Sequence, residues 1–111
     1  METSTAVEAL AALAQRSRLA IFRLLVEAGP EGLAAGLIGE KLDLPPATLS
    51  FHLSQLARAG LVSSRQDGRF VIYTASFERM TALVAYLTEN CCGGRSCDPA
   101  PARPRRTSAK A

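Results

Sequence analysis

Three cysteines, Cys91, Cys92 and Cys97, fall within seven residues, and the rest of the chain has none. An odd, tightly grouped set is a poor disulfide framework and fits a reducing compartment. Soft thiolates with no histidine beside them, and no nearby carboxylate except Asp98, favour soft, thiophilic ions. Three thiolates suit a trivalent arsenic or antimony centre, which keeps a lone pair and needs no fourth ligand. Zinc normally takes four ligands. Successive residues on a continuing helix point about 100° apart, so Cys91 and Cys92 cannot share an ion there. Gly93-Gly94 can take positive φ and fold Cys97 back towards the pair, and Arg95 favours thiolate over thiol. Two other uses of these thiols stay open: a redox switch, in which a pair oxidises to a disulfide, and zinc held with a partner subunit's ligand.

A second set of residues suits DNA. On a helical wheel, Leu49, Leu53, Leu56 and Gly60 share one face, and Ala47, Thr48, Phe51, Ser54, Gln55 and Arg58 lie opposite. Ser50 and His52 sit on the flanks. The outward face is short, polar and free of acid, so it can approach bases and phosphates without repulsion. Phe51 is a large apolar group on that face, which contact with a thymine methyl would explain. Arg65 and Arg69 flank Asp67-Gly68, where a hairpin tip would meet phosphate or the minor groove. The alternative for the helix is a solvated face, and for the two arginines hairpin solubility. Helix and hairpin together favour DNA. His52, the sole histidine, reads as a flank residue bonded to backbone or phosphate.

The elements that must position these groups follow from local signals. Thr5-x-x-Glu8 reads as a capping box opening a helix over 6–15. A second, central helix carries Leu19, Ile21, Phe22, Leu24, Leu25 and Val26, follows the interruption Arg16-Ser17-Arg18, and stops at Gly29-Pro30. A short helix over 34–42 and a turn at Asp43-Leu44-Pro45-Pro46 lead to a helix over 46–59, with Pro46 in its first turn. Leu61-Val62 and 70–73 read as strands joined by a type I′ turn at Asp67-Gly68. Ser76 caps a last helix over 77–90, which Gly93-Gly94 ends. The pattern predicts a mainly α protein with a β-hairpin wing, a winged helix-turn-helix. On this reading residues 1–90 are expected to form its DNA-binding and dimerisation domain, 91–97 a metalloid-binding segment, and 98–111 a disordered basic tail.

Length and composition set the limits. The 111 residues allow one domain. No apolar run approaches the roughly 20 residues that span a bilayer, and METSTAVEAL has no early basic residue, so neither a membrane span nor a secretory signal is expected. A cytoplasmic protein is. Residues 1–90 hold eight basic and nine acidic side chains, net −1, whereas 91–111 hold five basic side chains and Asp98, net +4. The overall charge of +3 is therefore no argument that the body binds nucleic acid. The apolar sides of the first helix (Ala6, Val7, Leu10, Leu13) and the last (Met80, Leu83, Val84, Leu87) exceed what a small domain covers alone, and predict a homodimer.

These motifs carry a resemblance. Ala11-Ala12-Leu13-Ala14 leading to Arg18-Leu19-Ala20-Ile21-Phe22-Arg23-Leu24-Leu25 resembles the opening of the ArsR family of small bacterial repressors. The run from Ala47 to Leu56, with Ala59-Gly60-Leu61-Val62, is similar to that family's recognition helix, and 65–73 to its wing. The likeness covers about residues 6–90. It implies a homodimeric repressor that releases operator DNA on binding an inducer. Some members carry a Cys-Val-Cys arsenic box in the third helix; here Leu33-Ala34-Ala35-Gly36-Leu37 has no thiol. Zinc- and cadmium-sensing members use Asp and His on the last helix; residues 77–90 have neither. The chain resembles the arsenic repressors with a vicinal cysteine pair and a third cysteine after the last helix. The expected ligand is therefore As(III) or Sb(III) on Cys91, Cys92 and Cys97. Sensing of a methylated arsenical through two thiols, or thiol redox sensing, remains an alternative. An arsenate-reducing enzyme is disfavoured because no anion-binding loop accompanies the cysteines. A module that binds only protein would lack a salt-dependent affinity for DNA.

Overall fold

A computed structural model describes residues 1–94. Five helices and three strands follow one another: α1 (Thr3–Leu13), α2 (Arg16–Ala28), β1 (Leu33–Ala34), α3 (Ala35–Leu42), α4 (Pro46–Arg58), β2 (Val62–Asp67), β3 (Phe70–Ala75) and α5 (Phe77–Thr88). A short 3₁₀ turn occupies Gly29–Glu31, and Cys91–Gly94 forms a turn with left-handed residues inside it. The mainly helical winged helix-turn-helix read from the sequence is the fold.

The sheet is antiparallel, in the order β1-β3-β2. The sequence did not suggest β1, whose two residues pair with Tyr73 and Ile72. The hairpin turn falls at Gly68-Arg69, one residue later than expected, because Asp67 pairs with Phe70. The buried pair Val62–Ala75 sets that register; a one-residue slip would turn every inward side chain outward. Gly68 alone takes positive φ, at 64°, so the turn is not the type I′ that Asp67-Gly68 suggested.

The core gathers on α2 and α4: Ile21, Phe22 and Leu25 against Leu49, Leu53 and Leu56, closed by Ile38, Leu61 and Leu83. Helix α1 contributes Ala6, Ala9 and Ala12, small residues that let it lie close to its neighbours, while Val7 and Leu10 face outward. It begins earlier than the expected capping box. Glu2 holds the N-cap position without a side-chain bond, and the Thr3 hydroxyl meets the Tyr86 hydroxyl on α5. That tertiary contact carries the helix back past Thr5. The recognition helix is bounded as the local chemistry demands. Pro46 is in its first turn. At its end, Gly60 N–H donates to Ala57 O and Leu61 N–H to Leu56 O, both at 3.0 Å, with Gly60 at φ 77°. This is a Schellman motif, whose hydrophobic contact is the buried Leu56–Leu61 pair.

Helix α5 opens as expected: the Ser76 hydroxyl accepts from Arg79 N–H at 3.1 Å. It ends sooner than Asn90. Glu89 is extended, at φ −64° and ψ 135°, and Asn90, Cys92, Gly93 and Gly94 all have positive φ. The vicinal cysteines therefore lie on a fold-back turn after the helix, not on its continuation. Cys97, Arg95 and the tail assigned to 98–111 lie outside the described residues.

Candidate nucleic-acid interface and cysteine turn

Helix α4 buries Leu49, His52, Leu53 and Leu56 and turns Thr48, Ser50, Phe51, Ser54 and Arg58 outward. Phe51 is 56% exposed. Its neighbours on the helix are hydroxyls and one guanidinium, a surface suited to the major groove. The Ser54 hydroxyl donates to Phe51 O at 3.0 Å, leaving its oxygen lone pairs outward as acceptors. Gln55 is half-buried in a groove shared with Glu8 of α1, Arg18 and Arg58. It faces the flank nearest α1 rather than the middle of the reading face.

His52 departs from expectation. It is buried rather than flanking, and its Nδ1 lies 3.3 Å from Arg18 Nη1. The bond goes to a side chain of α2 rather than to backbone, and the ring lies on the buried side of α4 instead of on its outward face. Arginine only donates, so Nδ1 is the acceptor and the ring's proton sits on Nε2. Burial first, and the Arg18 charge second, hold His52 below its ordinary pKa. The ring meets Phe51 in a T-shaped contact at 5.6 Å. Arg18 also donates from Nε to Ala12 O at 2.7 Å, satisfying a carbonyl that the end of α1 leaves without a helical partner. The sequence marked Arg18 as an interruption of an apolar run and as part of the family-like opening motif, but gave it no bonding role.

On the wing, Arg69 stands exposed in the turn. Arg65 does not flank the tip. It pairs across the strands with Ile72, and its guanidinium donates to Glu31 O at 2.9 Å and to Thr74 Oγ1 at 3.4 Å. It ties the wing to the turn after α2. Phe70 and Val71, 57% and 37% exposed, join Arg69 at the tip. The sequence reading placed them in a strand but not on the outward surface. No sequence signal marked them, because Phe70-Val71-Ile72-Tyr73 is apolar throughout and lacks the period-two alternation that separates two faces.

At the far end of α5, the Cys91 and Cys92 sulfurs lie 3.6 Å apart on an exposed turn. Among the described residues no three His, Cys, Asp or Glu side chains form a metal-ligating group. Val7 and Leu10 of α1 and Val84 and Leu87 of α5 are exposed apolar residues, between 41% and 57%. No helix among the described residues is long and apolar enough to cross a membrane.

Residues 13–65 match the model of a helix-turn-helix domain. The chain is 33% identical over 90 residues to the transcriptional activator HlyU of Vibrio cholerae, covering 81% of each protein. The solved HlyU structure superposes with a TM-score of 0.64 over 83% of this chain and 99% of that one, at 34% identity. A putative arsenical resistance operon repressor, ArsR, of Halobacterium salinarum is 39% identical over 79 residues, 71% of this chain and 60% of that protein. The homodimeric winged helix-turn-helix DNA-binding domain of Mb0332 from Mycobacterium bovis, described as a possible ArsR-family regulator, superposes with a TM-score of 0.63 at 26% identity, over 83% and 85% of the two chains. The match to YceK of Bacillus subtilis spans only 57% of that protein. With this fold, this outward α4 face and these relatives, the chain belongs to the ArsR family of winged helix-turn-helix transcriptional regulators.

Proposed function

We propose that this regulator is a homodimeric repressor that releases its operator when trivalent arsenic or antimony binds Cys91, Cys92 and Cys97. The observation that carries the reading is the pair of sulfurs 3.6 Å apart on the fold-back turn. Two sulfurs bonded to one ion at about 2.3 Å each can stand no more than about 4.6 Å apart, so the 3.6 Å pair is within reach of one soft ion. Cys97 follows within five residues and supplies the third thiolate. The ion needs no carboxylate or imidazole, and the turn offers none. The likeness to a putative arsenical resistance repressor supports the same inducer.

The apolar sides of α1 and α5 bury against a second copy, as the homodimeric Mb0332 domain supports. The dimer then presents two α4 helices about 34 Å apart, one turn of DNA. Thr48, Ser50, Phe51, Ser54, Gln55 and Arg58 read or flank the major groove, and Arg69 meets phosphate. His52 and Arg65 hold the elements in place. Sedimentation at micromolar concentration should give a dimer, and a monomer would count against this arrangement.

The decisive test is a gel shift on the DNA upstream of its own gene, with and without arsenite. Wild type should bind and release. Cys91→Ser, Cys92→Ser and Cys97→Ser should bind and release poorly. A Cys97→Ser protein that responds fully to inorganic As(III) would show a two-thiol site, and one that responds only to a methylated arsenical would make the third thiolate the specificity element. Truncation after Cys97 should leave induction unchanged. A second reading, thiol redox sensing, is favoured by the same close sulfurs and by a relative solved as reduced HlyU. Release by peroxide and not by arsenite would select it.

A further inference from the structure

We infer that Arg18 and His52 form a clamp that fixes the rotation of the recognition helix, so that discrimination between operator and other DNA depends on it. Both residues lie away from the outward reading face. Arg18 bridges three helices. Its backbone N–H is capped by Gln15 Oε1 at 2.9 Å at the start of α2, its Nε holds Ala12 O of α1, and its Nη1 reaches His52 Nδ1 on α4. His52 is 8% exposed. Its ring in turn meets the exposed ring of Phe51. A continuous line of contacts therefore runs from the end of α1 to the apolar group on the reading face.

The rest of α4's buried surface cannot do this alone. Leu49, Leu53 and Leu56 hold the helix against the core, but dispersion contacts are non-directional and tolerate a small roll about the helix axis. A hydrogen bond to a buried ring is directional, and leaving that Nδ1 without its donor is unfavourable. Arg18 and His52 are thus positioning residues: they set which atoms of Phe51 and its neighbours face the groove.

The inference rests on the reading of α4 as the DNA-contacting helix, and the experiment separates the two. The full-length protein is compared with Arg18→Ala, His52→Leu, their double variant and His52→Asn, whose Oδ1 takes the place of Nδ1 as acceptor. Affinity is measured for the upstream DNA and for a scrambled duplex of equal length, well below the melting temperature. The ratio of the two should fall about tenfold in Arg18→Ala and in His52→Leu, roughly the discrimination of one good base contact. The double variant should fall no further, and His52→Asn should keep most of the ratio. Ratios that stay at the wild-type value, or losses that add in the double variant, overturn the clamp. Should Arg18→Ala fail to fold, the His52 pair decides: a retained ratio in Asn with a lost one in Leu supports the clamp, and equal ratios overturn it. If wild type itself shows no preference for the upstream DNA, the reading of α4 fails, and NMR of the free protein decides the clamp. Replacing Arg18 should then move the His52 Nδ1 and Phe51 ring resonances while the core leucine methyls stay in place; unmoved resonances overturn it.

Discussion

Helix α4 and the cysteine turn are built on opposite terms. The helix is bounded by a proline at its start and a Schellman motif at its end, buries four side chains, and is held from the side by Arg18. The turn over 91–94 is exposed at every residue, and it lies beyond the last buried side chain of α5, Leu83. A surface that reads bases gains from being rigid before it meets DNA, because ordering it on binding would cost affinity. A segment that responds to an ion gains from the reverse. It has little native packing to lose, so most of the ligation free energy can go into rearranging the chain around it.

The contrast predicts very different sensitivities. Leu53, 2% exposed in the core side of α4, should destabilise the domain by about 2–5 kcal/mol when cut to Ala. Cys91→Ser and Cys92→Ser should leave the unfolding midpoint in urea unchanged. A cysteine variant as unstable as Leu53→Ala would place the turn inside the core and break the comparison. The next effect is the coupling between the two regions. Arsenite should weaken operator binding by about 1–3 kcal/mol in wild type, a typical coupling for allosteric release, and by far less in each Cys→Ser variant. Fluorescence anisotropy on labelled DNA measures both.

A smaller effect belongs to the wing. Arg69→Ala should weaken binding to all duplexes alike and make the slope of log affinity against log salt shallower by about 0.9. Arg65→Ala should leave that slope nearly unchanged, because its guanidinium is already bound to Glu31 O. Equal slope changes in the two variants would give Arg65 a phosphate. The smallest effect is on pH. His52 has a folded-state pKa below its ordinary value, so the unfolded chain takes up the proton more readily. Its contribution to stability is whole above the unfolded pKa, about 6.5, and is lost as pH falls below it. Urea midpoints from pH 8 to pH 5 should fall more steeply in wild type than in His52→Asn.

Much of this molecule is written in short stretches of chain. Pro46, Gly60 and the spacing of Leu49, Leu53 and Leu56 placed the recognition helix within one residue of its limits. Ser76 marked the start of α5, and Gly29 the end of α2. The positive φ of Gly93 and Gly94 was likewise legible. These signals work because capping, glycine φ and helical period are decided within a turn or two. The end of α5 was not legible, since 77–90 keeps a good helical pattern and nothing local stops it at Thr88.

The sequence by itself determined the order of the five helices and the hairpin, the outward face of α4 and the clustering of thiols after the last helix. Only the tertiary structure decided that His52 turns inward to Arg18 and that Arg65 turns back to Glu31. Each of those bonds joins residues 34 apart in the chain. A histidine one position from Phe51 has the same local pattern whether it faces groove or core. What settles it is whether a donor waits on another helix, and no window along α4 contains Arg18.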